Sequence, residues 1–175
     1  MGYWNTRGLR GNELEEMLNV TNELYRQKHL GVVQKIPTPI KPINIDQAKR
    51  VITLAYFEQK STVDYVGVVQ GVAICFDAKE TSKNFLPINN IHKHQIDFMK
   101  DFKNQGGEAF IVVYFKKYEE YFFMDIHTLD EYYKQALAGG KKSIAYALFD
   151  KNYLIPIEGG LYINYLKTLD RYLNG

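Results

Sequence analysis

Residues 61–81 (STVDYVGVVQGVAICFDAKET) carry two aspartates and a lysine at strand spacing, the types that could do metal-assisted chemistry. Gln70-Gly71 lies between arms rich in Val, Ile and aromatics. It reads as a two-residue hairpin turn, which needs residues tolerant of φ > 0. With that loop, Val69 opposes Val72, Asp64 faces Asp77, and Thr62 faces Lys79. Side chains on a strand alternate, so all four point to one face unless a bulge shifts the register. Directly opposed Cβ atoms are about 5 Å apart. Two carboxylates at that distance repel unless positive charge sits between them. A divalent cation with oxygen ligands meets the need, and Lys79 adds a second positive charge. The competing reading is a solvated ion pair on an exposed strand, which carries little energy. Against it, both strand faces are apolar: Val66, Val68, Ala73 and Cys75 on one, Val69, Val72, Ile74 and Phe76 on the other. Such strands are expected to be covered on both sides, which makes charges clustered at one end harder to dismiss as surface and favours the metal-site reading.

These strands need flanking elements to hold them. A helix over 13–27 is expected from the stripe Leu14, Met17, Leu18, Thr21, Leu24 and Tyr25. Asn12 and Glu15 resemble a capping box. Glu15 either caps this helix or leans toward the sheet as a further acid. A first strand is expected over 29–36. Pro37, Pro39 and Pro42 then exclude a central strand. Residues 43–45 and 51–57 read as two extended arms around a polar turn at 46–50, a stalk carrying Lys41, Lys49 and Arg50 and spanning 37–57. Long insertions with structure of their own usually serve binding; the bland alternative is a long hairpin with solvated charges.

After the hairpin, a loop at 86–90 leads to a helix over 91–104, stopped by Gly106-Gly107. Gln95 is the polar misfit on its apolar stripe of Ile91, Phe98, Met99 and Phe102. It needs a partner there, either a backbone group or a metal-bound water. His92 and His94 should face different ways on that helix. A buried strand over 109–115 and a partner over 121–124 follow. Thr128 to Glu131 reads as a capping box for a helix over 129–137. Residues 143–160 are expected to be irregular, and 161–173 to form a last amphipathic helix.

The chain has 175 residues, enough for one domain with a sizeable core. The single cysteine, Cys75, excludes an internal disulfide and a cysteine zinc cage. No apolar run reaches membrane-spanning length, and no apolar signal-peptide core follows the first basic residues, so a cytoplasmic protein that does not contact membranes is expected. The net charge is only +2, but residues 26–60 hold seven Lys or Arg against two acids. The first eleven residues are expected to form an irregular arm in which Arg7 and Arg10 could pair with nucleic acid. There is no phosphate-cradling Gly-rich loop and no Ser-His-Asp spacing.

The element order, with Asp…Asp-x-Lys on the hairpin, resembles the α/β PD-(D/E)XK (restriction-endonuclease-like) nuclease core, a mixed sheet flanked by helices, here with a protruding β-stalk. Several stretches are similar to one family within it: GNELEEMLN (11–19), KIPTPI (35–40), AYF (55–57), STVDY (61–65), FDAKET (76–81), IHKHQ (91–95), QGG (105–107) and VYF (113–115) resemble RecU-type Holliday junction resolvases. The resemblance spans about residues 9–150. It implies a homodimeric, magnesium-dependent endonuclease, manganese being an alternative ion, that cuts a four-way junction during recombination and repair. It also implies that the stalk enters the junction centre. Thr62, Asp64, Asp77 and Gln95 would form the metal site. Lys79 would stabilise the transition state or help deprotonate the attacking water. A strand-exchange recombinase and a branch-migration motor are implied partners. Asp77 stands where the family pattern implies Glu, and the N-terminal arm is shorter and less basic than the pattern. The alternatives are another nuclease of this core acting on linear duplex, and a non-catalytic junction-binding mediator.

Overall fold

The computed structural model describes residues 13–57, 62–158 and 163–175. Its centre is β5 (Val72–Thr81), joined to β4 (Tyr65–Val69) by the expected two-residue turn. Gln70 and Gly71 have φ of 47° and 83°. Two successive positive values define the type I′ turn, whose twist matches that of the strands it joins. Val69 faces Val72 and Tyr65 faces Phe76, the register expected from the turn. On its other side β5 pairs in parallel with β7 (Glu108–Phe115), through a crossover containing α2 (Lys93–Asn104). With β1 (Gly31–Lys35), β8 (Glu120–Asp125) and β10 (Leu154–Ile155), these strands form a mixed six-stranded sheet in the order β1-β4-β5-β7-β8-β10.

Helices cover both faces of the sheet. α1 (Glu13–Gln27) and α4 (Tyr165–Asn174) bury Leu14, Leu18, Tyr165 and Leu169 against Tyr65, Ile74, Phe76 and Phe110. α2 and α3 (Ile126–Leu137) bury Ile96, Met99 and Leu129 against Cys75, Ile111, Val113 and Met124. Alternation along β5 therefore sends Cys75, Asp77 and Lys79 to the α2 face and Phe76 to the α1 face. Cover on the α2 side is partial: Val32 and Val68 are 64% and 51% exposed, because α2 and α3 sit over the middle of the sheet and leave β1 and β4 open. That corrects the expectation of strands covered on both sides along their length.

The stalk segment forms a separate two-stranded ribbon, β2 (Ile40–Asp46) and β3 (Val51–Phe57), which pair only with each other. Pro42 is tolerated inside β2 because the strand is an edge and its register shifts between Pro42 and Ile45. The ribbon leaves Ile43, Ile45, Leu54 and Phe57 exposed, Phe57 by 76%.

Several local expectations are corrected. α3 begins three residues early, because Asp125 caps it by accepting from the N–H groups of His127 and Thr128 at 2.9 and 3.2 Å. Residues 143–160 are not simply irregular. β9 (Ser143–Ala145) pairs with β6 (Phe85–Pro87), and β10 pairs with β8. The last helix starts at Tyr165 behind the N-cap Asn164, and Leu161 lies outside the described residues, as does Asn12. Among the described residues, no helix is long and apolar enough to cross a membrane.

Candidate active site

The β4–β5 ladder ends at the pair Tyr65–Phe76, and side chains take over from there. Asp64 turns its carbonyl toward β1, where it accepts the Ile36 N–H at 2.7 Å. Its carboxylate Oδ2 accepts the Ala78 N–H at 2.8 Å, and its own N–H donates to Asp77 Oδ1 at 3.0 Å. The two acids are thus locked together by bonds to each other's strand. Asp77 is fully buried. Its Oδ2 accepts from Gln95 Nε2 at 2.8 Å and lies 2.5 Å from Lys79 Nζ. Lys79 Nζ also donates to Gln95 Oε1 at 3.2 Å.

Gln95 is placed by the start of α2. It is the third residue of the first turn, and its Oε1 accepts the N–H of His92, the N-cap, at 3.2 Å. A Gln there reaching back to the cap is half of a capping box. The bond fixes the amide so that its NH₂ points at Asp77, and one side chain ties the helix start to both β5 site residues. This answers the question raised by the polar misfit: its partners are a backbone N–H and two site side chains. His92 lies ahead of the helix, with extended backbone at φ −96° and ψ 144°, so its ring stacks on that of His94 at 5.5 Å instead of facing away.

Electrostatics mark the acid pair. The Asp64 carboxyl is pushed up to about 7, first by burial and then by the neighbouring negative charge of Asp77. A place where a carboxylate resists ionisation is one where a cation is welcome. The donors are hard: two carboxylates, with no thiolate or imidazole among them, while Gln95 turns its NH₂ to Asp77 and its Oε1 to the His92 N–H and Lys79. Among the described residues, no third His, Cys, Asp or Glu joins the pair to complete an all-protein metal cage. That set fits magnesium, which keeps much of its water and binds through one or two carboxylates plus substrate phosphate.

The other candidates separate. Thr62 is exposed in the segment ahead of β4, off the ladder, so it does not face Lys79 across paired strands. Glu15 is not with the acid pair. It sits on the α1 side, where its carboxylate takes the ammonium of Lys35, and its carbonyl accepts the Tyr65 hydroxyl at 3.3 Å. Lys41, Lys49 and Arg50 are exposed on the ribbon, with Lys49 3.8 Å from Asp46. Arg7 and Arg10 lie outside the described residues. Sequence reasoning missed the Asp64–Ala78 bond, which has no local signal, and the Lys35–Glu15 pair. It also missed the His92-x-x-Gln95 cap, which the Gln at third position could have shown. Cys75, two residues before Asp77, is buried, and its thiol is pushed up to about 12 by burial and then by the Asp77 charge.

Comparison with known proteins places this chain in a family. The profile described as "RecU: Recombination protein U" matches residues 9–171. A protein of Oceanobacillus iheyensis named Holliday junction resolvase RecU is 39% identical over 93% of this chain and 85% of its own length. Its namesake from Oenococcus oeni is 40% identical over 95% and 87%. That of a Geobacillus strain is 43% identical over 78% and 70%. A solved structure of Archaeoglobus fulgidus Hjc, titled a Holliday junction resolvase, aligns with 64% of this chain and 74% of its own at 9% identity and a TM-score of 0.35, too slight a likeness to carry weight. The profile match and the near-full-length relatives make this chain a member of the RecU family.

Proposed function

We propose that this protein is a structure-specific endonuclease that resolves four-way DNA junctions by metal-dependent phosphodiester hydrolysis. The observation that carries the reading is the buried Asp77, facing Asp64 and bonded to both Lys79 and Gln95. The names of the family's curated members point to the same substrate. Asp64 and Asp77 would hold magnesium, with manganese as a substitute, and Gln95 would orient Asp77 beside it. The ion would supply Lewis-acid charge and lower the pKa of a bound water. Lys79, oriented by acceptors on two sides, offsets negative charge that builds on the phosphoryl oxygens. Gln95 keeps Lys79 and Asp77 in register. The exposed ribbon, with Lys41, Lys49 and Arg50, contacts the branched part of the DNA. Phosphate contacts of this kind position a duplex without reading its sequence, and branch shape then selects the substrate. Two copies related by a two-fold axis would supply one site for each strand cut. A strand-exchange recombinase and a branch-migration motor are proposed partners, and the cytoplasm the proposed place of action.

The test uses labelled four-way junction and linear duplex, with and without magnesium. The parent protein is expected to cut the junction, to need the metal, and to spare the linear duplex. Asp77→Ala should lose about 10³-fold in cleavage while junction binding stays close to the parent's. Cutting both DNAs alike would point to a general duplex nuclease. Binding without cutting at any metal concentration would point to a mediator.

A further inference from the structure

Beyond the acid pair, β5 runs on to Thr81, and the chain then turns into β6. A cavity of about 860 Å³ opens at this turn, between the 81–90 segment and the C-terminal end of α3. Its charged lining consists of Lys83, Lys142 and Glu80. Glu80 is already committed, 2.7 Å from Lys116 Nζ and accepting the Leu14 N–H at 3.3 Å. Among the described residues, neither Lys83 nor Lys142 forms an ion pair with an acid. Both are fixed at the base. The Lys83 N–H donates to Thr81 Oγ1 at 3.1 Å, and its ammonium sits 5.2 Å from the centre of the Phe85 ring. The Lys142 carbonyl accepts the Ile88 N–H at 3.0 Å, immediately before β9 pairs with β6. The α3 carbonyls nearest the cavity are occupied by N–H groups of the following turn, Ala136 by Gly139 and Gln135 by Gly140, which mutes the negative end of that helix. The result is an open, net positive cavity with amide side chains, Asn89 and Asn90, on its wall.

Its position along β5 says what it would meet. Lys83 is four residues past Lys79, at most about 13 Å of extended chain. Phosphates on one DNA strand advance about 3.4 Å each along the helix axis, so this span covers at most about four phosphates. We propose that this cavity is a phosphate-binding subsite, in which Lys83 and Lys142 hold the backbone of the cleaved DNA strand within about four nucleotides of the scissile bond. The inference rests on the endonuclease reading above and adds to it a grip on the duplex arm separate from the ribbon. The subsite acts on affinity and register, and the bond-breaking step stays with Asp77 and Lys79.

The experiment measures four-way junction binding in an Asp77→Ala background, with and without the added pair Lys83→Ala and Lys142→Ala, over a range of salt concentrations. Removing one lysine–phosphate interaction should flatten the slope of log K against log salt by about 0.9. The double replacement is therefore expected to flatten it by nearly two, and Lys83→Arg with Lys142→Arg to restore it. Neutral methylphosphonates at the second to fourth phosphates on either side of the cut should weaken binding by the Asp77→Ala protein about tenfold or more. They should cost the Lys-to-Ala protein nothing further. An unchanged slope, a loss of binding at unchanged slope, or an equal methylphosphonate cost in both proteins would overturn the subsite while leaving the nuclease reading intact. A parent protein that neither binds nor cuts junctions would remove the nuclease reading itself.

Discussion

Asp64 is the group whose environment most changes its chemistry. Its pKa in the folded chain is raised to about 7 from the ordinary 3.8, so the native state holds a proton that the unfolded chain has released across that window. Its contribution to stability is complete below the lower value and is lost as pH rises through about 7. Without divalent metal, the parent protein should therefore lose thermal stability relative to Asp64→Asn between about pH 4 and 7. Magnesium should restore it at the upper end, with release of a proton detectable by calorimetry in buffers of different ionisation heat. Gln95 makes a different prediction. Gln95→Leu keeps the volume but removes the link among Asp77, Lys79 and the α2 cap, and cleavage should fall about 10–100-fold with junction affinity unchanged. The acid pair and the lysine are legible in the sequence because strand alternation and a two-residue turn fix who faces whom. Gln95 is legible as a misfit. Its partners are not, because they come from a strand eighteen residues away and from a cap whose first residue is a histidine. Glu15 is ambiguous, and Lys35, reached only once β1 and α1 are packed, decides where it lies.

The hairpin that presents the acids depends on glycine at two points. A Cβ at Gly71 would meet nothing within 4 Å, so the cost of Gly71→Ala is the left-handed backbone alone, about 1 kcal/mol. Gly67 differs, since a Cβ there would come within 2.3 Å of the Val32 carbonyl oxygen. Gly67→Ala must push β1 away from β4 and should cost about 1–3 kcal/mol, with a matching fall in urea midpoint. Long periodic elements are readable: α1 matches its expected bounds, and β7 and β8 fall within a residue or so of theirs. Short ones are not. The three-residue strands β6 and β9 have too few positions to show alternation, and they exist only because each finds the other across 55 or more residues. For α3 the sequence points to the wrong cap, since Thr128 carries the familiar pattern while Asp125, at the end of a strand, makes the bonds.

The molecule divides into a closed helical-sheet body and an open ribbon that leaves it between β1 and β4. The ribbon keeps its large apolar side chains in solvent and pairs only with itself, so replacing residues 40–57 by a short turn should leave the body folded and the acid pair in place. The expected change is in discrimination: the ratio of junction to linear-duplex affinity should fall toward one, measured by competition binding. The proline spacing makes the ribbon readable, because three prolines in six residues exclude a central strand whatever the neighbours do. The incomplete cover over Val32 and Val68 is not readable, since nothing in an alternating strand tells where a helix two elements away will stop. One further property of the body has a practical use. Cys75 is the single thiol of the chain, sealed under α2 and almost wholly uncharged at neutral pH. Maleimide dyes and nitroxides will therefore pass the native protein by. A cysteine installed at the ribbon tip, Gln47→Cys, would be the sole attachment point, and a dipolar distance between spin labels there would test for the proposed dimer and measure the gap between its tips.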